Sequence, residues 1–326
     1  MNVADEFVPR TGMRSGHLQT LVTTYLPREN RLPTGEDRLF RVEPDVQVLC
    51  HCHWKPEREC RLTMVIVHGL EGSAESQYVI GNANKAWAAG WNVVRMNIRN
   101  CGGTEKLSAT LYHSGLSADV RAIVHALIAE DKLEGVALVG YSMGGNQVLK
   151  AAGEWGSEAP PQLKAVAAVS PGMDLDACAT LLHEWQNRIY EWHFLSSLKK
   201  RMRYKAQLFP GRFDVSRLRG LRSIRDFDDR VTAHYCGFTG AADYYYRASA
   251  ARVIERVAVP TLIIHALDDP FITITPESKA KILANPNICY VETRHGGHCG
   301  FLAAARNGYD GRWAELRIQE FLKELP

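Results

Sequence analysis

Residues 136–145 read VALVGYSMGG, an apolar run that stops at a serine held between Gly140 and Gly144. A short apolar stretch ending in glycine is the mark of a buried strand that halts abruptly. The G-x-S-x-G spacing fits a sharp strand-to-helix turn, because the residues two before and two after the serine must be small where the flanking backbones pass closely. Residues 143–155, MGGNQVLKAAGEW, contain good helix formers and can run as the helix whose N-terminal amides face that serine. Ser142 is therefore a candidate nucleophile, and the competing reading is a polar residue in a tight turn.

Outward from this turn, β-branched apolar runs recur at 64–69 (MVIVHG), 91–98 (WNVVRMNI), 165–170 (AVAAVS), 260–266 (PTLIIHA) and 287–293 (NICYVET). Such runs suit the buried strands of a mostly parallel sheet. Between them, LSADVRAIVHALIAE carries Val120, Ile123, Val124, Leu127 and Ile128 at the spacing of one helical face, and further helices fit at 76–90, 276–284 and 312–323. This alternation predicts an α/β fold with helices on both faces of a mostly parallel central sheet. Residues 1–37 read as an irregular arm packed on a domain spanning 38–326. From about 172 to 255 no strand-like run occurs, so this interval is expected to be a helical lid insertion above the carboxyl ends of the strands, where open α/β sheets bind ligands. Its basic stretch, from Lys199 through Arg225, reads as a solvated helical face, with contact to acidic lipid headgroups as the alternative.

Composition sets the outer limits. The chain has 326 residues, 46% of them apolar and 23% charged, with a formal net charge of +3, so nothing implies a nucleic-acid partner. No apolar run approaches the ~20 residues that span a bilayer, and MNVADEFVPR lacks the layout of a signal peptide. A cytoplasmic protein without stable membrane insertion is the expectation. The eight cysteines are scattered without a secretory context, which favours reduced thiols. In VQVLCHCHW, alternation puts Cys50 and Cys52 on one strand face and His51 and His53 on the other, which argues against a metal site.

A serine hydroxyl needs a histidine within hydrogen-bond reach and an acid to orient it. Both occur downstream in the order Ser, Asp, His. LIIHALDDPF places Asp268 and Asp269 just past an apolar strand, and TRHGGHCGF places His295 and His298 in a glycine-rich loop. His298 is the preferred base, because Gly296 and Gly297 let its loop turn toward the sheet edge, with His295 as the alternative. Asp269 is the preferred acid and Asp268 the alternative. For an oxyanion hole, the Met143 amide follows the serine and HGLEGS offers the Leu70 amide, while His68 in that loop reads as structural.

Longer strings sharpen this reading: GHLQT (16–20), HGLEGS, NIRNCGGTEKL (97–107), GYSMGGN, SIRDFDDRVTAHYCGF (223–238), ALDDPF and HGGHCGF. Together they resemble the α/β-hydrolase-4 family, the YheT-like bacterial esterases related to mammalian abhydrolase-domain lipases and yeast medium-chain ethyl-ester synthases. The resemblance covers nearly the whole chain. It implies an α/β-hydrolase fold and an esterase acting on small-molecule acyl esters, without cofactor, through Ser142, Asp269 and His298. GHLQT and RDFDDR carry no evident chemistry of their own; His17 or Asp228 could line the pocket, and hydrogen bonding of arm and lid to the domain is the simpler role. Lid aromatics such as Trp185, Trp192, Phe194 and Tyr244–Tyr246 would favour an apolar acyl group. An alcohol acyltransferase using the same triad and a noncatalytic binding protein on this fold are the rival functions; oligomeric state is not legible.

Overall fold

Side-chain alternation along the strands divides the core into two layers. In the computed structural model, which describes residues 6–306 and 308–325, Val65 and Val67 of one strand join an apolar cluster on one face, while Met64 and Ile66 join another on the opposite face. The next strand repeats the pattern, with Val136 and Leu138 on the first face and Ala137, Val139 and Tyr141 on the second.

The described strands are β1 (Glu36–Glu43), β2 (Val46–His53), β3 (Thr63–Val67), β4 (Asn92–Met96), β5 (Val136–Tyr141), β6 (Leu163–Val169), β7 (Thr261–Ala266) and β8 (Ile288–Thr293). They form a single sheet in the order β1-β2-β4-β3-β5-β6-β7-β8. β1 and β2 are antiparallel to each other, β2 is antiparallel to β4, and the remaining neighbours run parallel. This is an α/β-hydrolase sheet. The order of β3, β4 and β5 reverses direction at β3, so the loops after β3 and β5 part at the carboxyl edge and leave a crevice between them.

The helices are α1 (Gly16–Tyr25), α2 (Gln77–Ala88), α3 (Ser117–Asp131), α4 (Met143–Trp155), α5 (Leu175–Leu182), α6 (Arg188–Leu208), α7 (Ile224–Phe227), α8 (Ala233–Cys236), α9 (Ala241–Ala248), α10 (Pro276–Ala284) and α11 (Trp313–Lys323). The α3 stripe lies where its periodicity placed it, with Val120, Ile123, Val124 and Leu127 buried in the first layer beside Val148 and Leu149 of α4. Val79, Ala83 and Ala86 of α2 and Ile318 and Phe321 of α11 fill the second. Cys50 and Cys52 are packed into the first layer. None of the described helices is long and apolar enough to cross a membrane.

Between β6 and β7 the described residues are helical or irregular; α6 and α7 pack into the first layer, while α9 and Ala179 of α5 form a small apolar cluster of their own. The basic stretch there is not simply a solvated face. Arg201 pairs with Glu71 (2.8 Å) and Glu105 (2.7 Å). Buried Lys205 donates to Asn100 Oδ1 (2.8 Å) and the Glu105 carbonyl (2.9 Å), and burial pushes its ammonium down to about 8. These cations tie the insertion to the loops after β3 and β4. The arm also departs from the irregular reading, since it contains α1 and β1 begins within it at Glu36. α1 escapes a periodicity argument because it is inverted: Gly16, Gln19, Thr20 and Thr23 are buried, whereas Leu18, Leu21 and Val22 are exposed.

Candidate active site

Ser142 sits where β5 ends and α4 begins, with φ 55° and ψ −118°. For a residue bearing a Cβ this is a strained conformation, costing on the order of 1–3 kcal/mol. The turn is held by the Ser142 amide donating to the Val169 carbonyl (2.9 Å) and by its own carbonyl accepting from Asn146 N (3.1 Å). The two flanking glycines are obligatory for contact reasons. A Cβ on Gly144 would lie 2.4 Å from the carbonyl oxygens of Val67 and His68, and one on Gly140 would lie 2.3 Å from the Gly144 carbonyl oxygen. The helix can thus start directly against the end of β3.

That contact brings the loop after β3 to the serine. A Cβ on Gly69 would lie 3.0 Å from the Ser142 Cβ, so Leu70 follows immediately beside the nucleophile candidate. No hydrogen bond among the described residues claims the amide of Leu70 or of Met143. The loop itself is fixed: Gly69 N donates to the Tyr78 hydroxyl (2.9 Å), and Tyr78 stacks on Tyr141, whose hydroxyl accepts from Asn82 (2.8 Å). His68 is structural. Its Nδ1 bonds the Gly69 carbonyl (2.8 Å), its Nε2 accepts from Ile98 N (3.0 Å), and burial drives its pKa down to about 4.

Both candidate acid–base pairs form, but in different surroundings. His298 Nδ1 lies 2.9 Å from Asp269 Oδ2, and the Asp269 side chain is fully buried. Asp269 Oδ1 accepts from the amides of Phe271 (3.2 Å) and Ile272 (2.9 Å), which keeps the carboxylate pointed at the ring. His295 Nδ1 lies 3.4 Å from Asp268 Oδ2 in a partly exposed pair, and Asp268 Oδ1 accepts from Gly297 N (2.8 Å). Asp268 is therefore an anchor for the histidine loop. Ser142 and His298 line a common cleft of about 580 Å³, and His295 is not among its lining residues. Burial disfavours the charged His298 ring, but the Cys299 sulfur, 3.6 Å from Nε2, and the Asp269 carboxylate outweigh it and raise its pKa.

The two unexplained motifs act on this site from outside. In GHLQT, Thr20 Oγ1 accepts from His298 N (2.8 Å) and donates to the Gly16 carbonyl (2.7 Å). Gln19 spans the same loop, accepting from Leu302 N (2.7 Å) and donating to the carbonyls of Met13 (2.7 Å) and Leu302 (3.2 Å). Gly16 permits the approach, since a Cβ there would lie 1.9 Å from the Asp268 carbonyl oxygen. His17 Nδ1 lies 3.0 Å from the Tyr190 hydroxyl, joining arm to insertion. In SIRDFDDR, Ser223 and Asp226 form a capping box on α7. Asp228 accepts from Thr232 (2.8 Å) and Tyr245 (2.8 Å), and burial raises its pKa to about 6. Sequence reasoning did not reach Thr20 and Gln19, because hydrogen bonds across more than 270 positions leave no local pattern.

A second cavity, about 140 Å³, also borders Ser142. It is mainly apolar, with Leu111, Leu182, Leu198, Met202 and Phe227 in its wall and Asp228 at its margin. Of the insertion's aromatics, Phe194, Tyr244 and Tyr245 line this cavity, Trp192 lines the cleft, and Trp185 and Tyr246 point to solvent.

A family profile described as the α/β hydrolase fold matches residues 63–305. The chain belongs to the α/β-hydrolase family. Within it, YheT of Escherichia coli strain K12, a provisionally assigned esterase, is 34% identical over 97% of this chain and 93% of its own, which makes this a YheT-like member. Mouse phospholipase ABHD3 is 31% identical over 74% of this chain and 59% of that longer protein. Human monoacylglycerol lipase ABHD2 is 26% identical over 88% of this chain and 72% of its own. Among solved structures, the Pyrococcus furiosus esterase Pf2001 superposes with a TM-score of 0.58 at 15% identity, covering 89% of this α/β hydrolase and 92% of that chain.

Proposed function

We propose that this protein is a serine carboxylic-ester hydrolase. The observation that carries the proposal is the His298–Asp269 contact in a cleft shared with a serine held in a strained strand-to-helix turn. In this mechanism His298 Nε2 removes the Ser142 hydroxyl proton as Oγ bonds to the ester carbonyl carbon, and the carbonyl electron pair moves onto oxygen. The Leu70 and Met143 amides, preorganised and unclaimed, stabilise that oxyanion. Collapse breaks the bond to the alcohol oxygen, which takes the proton from His298. Water then repeats the sequence on the acyl-enzyme and releases the acid.

The apolar cavity suits an acyl chain and the larger cleft suits the departing alcohol and the incoming water. The α5–α9 insertion, walling the cavity, serves as a lid over the acyl group. The relatives named as esterase, phospholipase and monoacylglycerol lipase support this reading, since each name is that of an ester-cleaving enzyme.

The test is a series of p-nitrophenyl esters from acetate to palmitate with the unaltered protein and Ser142→Ala. Turnover that falls by at least ~10³ in the variant is expected. Turnover that survives in Ser142→Ala, or none on any ester, would overturn the proposal and favour a binding protein on this fold.

A further inference from the structure

The cleft shared by Ser142 and His298 contains a cation with nothing to bind. Arg312 lines it and is only 7% exposed, yet its guanidinium makes no hydrogen bond or ion pair among the described residues. The carboxylates around it are already committed. Glu315 takes Arg28 (2.6 Å) and Lys85 (2.7 Å), and Asp310 takes Lys85 (2.5 Å) and Arg28 (3.1 Å). Among the described residues the ion pairs of Arg28 and Lys85 take up both Asp310 and Glu315, which leaves the Arg312 charge without a carboxylate of its own. Glu71, the other carboxylate lining the cleft, is held by Arg201 (2.8 Å).

Burying a charge without a counter-ion is unfavourable, and a guanidinium does not escape by losing its proton. An anion entering the cleft would restore the balance. The apolar cavity that also borders Ser142 offers no place for such an anion, so the anion belongs to the alcohol side of the scissile bond.

We propose that Arg312 binds a phosphate or carboxylate carried by the alcohol part of the ester. The planar guanidinium fork suits bidentate binding of such oxyanions. This inference rests on the ester-hydrolase reading of the same site. It makes Arg312 a determinant of which ester is cleaved, through KM more than kcat.

The experiment compares 1-octanoyl-glycerol-3-phosphate, the octanoyl ester of 3-hydroxypropanoate and neutral 1-octanoyl-glycerol as substrates of the unaltered protein, Arg312→Gln and Arg312→Lys. The expected result is a kcat/KM preference for one or both charged esters of roughly 10- to 100-fold, the range of one charge-assisted contact. That preference should vanish in Arg312→Gln and survive in part in Arg312→Lys. Equal turnover of charged and neutral esters by the unaltered protein, or a preference retained in Arg312→Gln, would overturn the proposal. Failure of the hydrolase reading is separable by titrating octyl phosphate into Ser142→Ala with and without Arg312→Gln. Binding that needs Arg312 upholds the anion site without turnover, and binding that ignores it, or is absent, overturns it.

Discussion

Replacing each aspartate of the Asp268–Asp269 pair by asparagine separates two groups that are adjacent in sequence and unlike in surroundings. Asp269 Oδ1 is committed to the amides of Phe271 and Ile272. In Asp269→Asn those donors hold the amide oxygen, so the NH₂ group is turned toward His298 Nδ1. The ring must then accept at Nδ1 and carry its proton on Nε2, the atom that has to accept from Ser142. Holding the ring in the wrong tautomer costs about 10⁴ in kcat in the Ser-His-Asp template, which at ~1.36 kcal/mol per decade is about 5 kcal/mol of barrier. Asparagine at 268 still accepts from Gly297 N and loses only a partly exposed contact with His295, worth up to about 1 kcal/mol and less than about tenfold in rate. Steady-state hydrolysis of p-nitrophenyl octanoate, with thermal melts to verify folding, reads both variants. Asp268→Asn falling as far as Asp269→Asn, or Asp269→Asn staying within tenfold of the parent, would refute the reasoning.

Three further outcomes are expected. Thr20→Val, nearly isosteric, removes the acceptor of His298 N, which should cost ~1–2 kcal/mol of stability for the unmet donor and also lower kcat/KM about tenfold, ~1.4 kcal/mol; a melting loss with full activity would contradict the positioning role. Cys299→Ala removes a contribution that raises the His298 pKa. Because the neutral ring is the active form, the limb along which kcat/KM rises with pH should move to lower pH, and an unmoved or upward-shifted limb would count against it. Burial raises Asp228 to about 6 from its usual 3.8. The folded state therefore holds this proton more tightly, and stability is lost as pH rises from about 4 to 6. Asp228→Asn should gain on the parent across that window by on the order of 2–3 kcal/mol in denaturant titrations, and a pH-independent difference would refute it.

The α/β frame was legible because its central strands are unbroken apolar runs closed by glycine, as in VALVG and MVIVHG. Ser142, His298 and the Asp268–Asp269 pair were legible because the elements that carry them are marked by glycine and by strand ends. β1 was not read, since EDRLFRVE is an edge strand with mostly exposed positions and little apolar signal. α1 was missed because it buries polar residues for their hydrogen bonds and gives its leucines to solvent. The inward turn of Arg201 and Lys205 was hidden for the converse reason: a run of basic residues looks solvated unless its distant partners, here Glu71, Glu105 and Asn100, are known.

The Thr20–His298 and Gln19–Leu302 bonds join positions 278 and 283 residues apart. A chain leaving the ribosome exposes α1 long before its docking site exists, and the sheet through β7 can assemble while the histidine loop is still unmade. The α1 segment, made well before the histidine loop, thus completes the geometry of the candidate site last. For circular permutation or fragment complementation, this means that a split placed after α1 should yield a folded larger piece whose activity returns when the short piece is supplied.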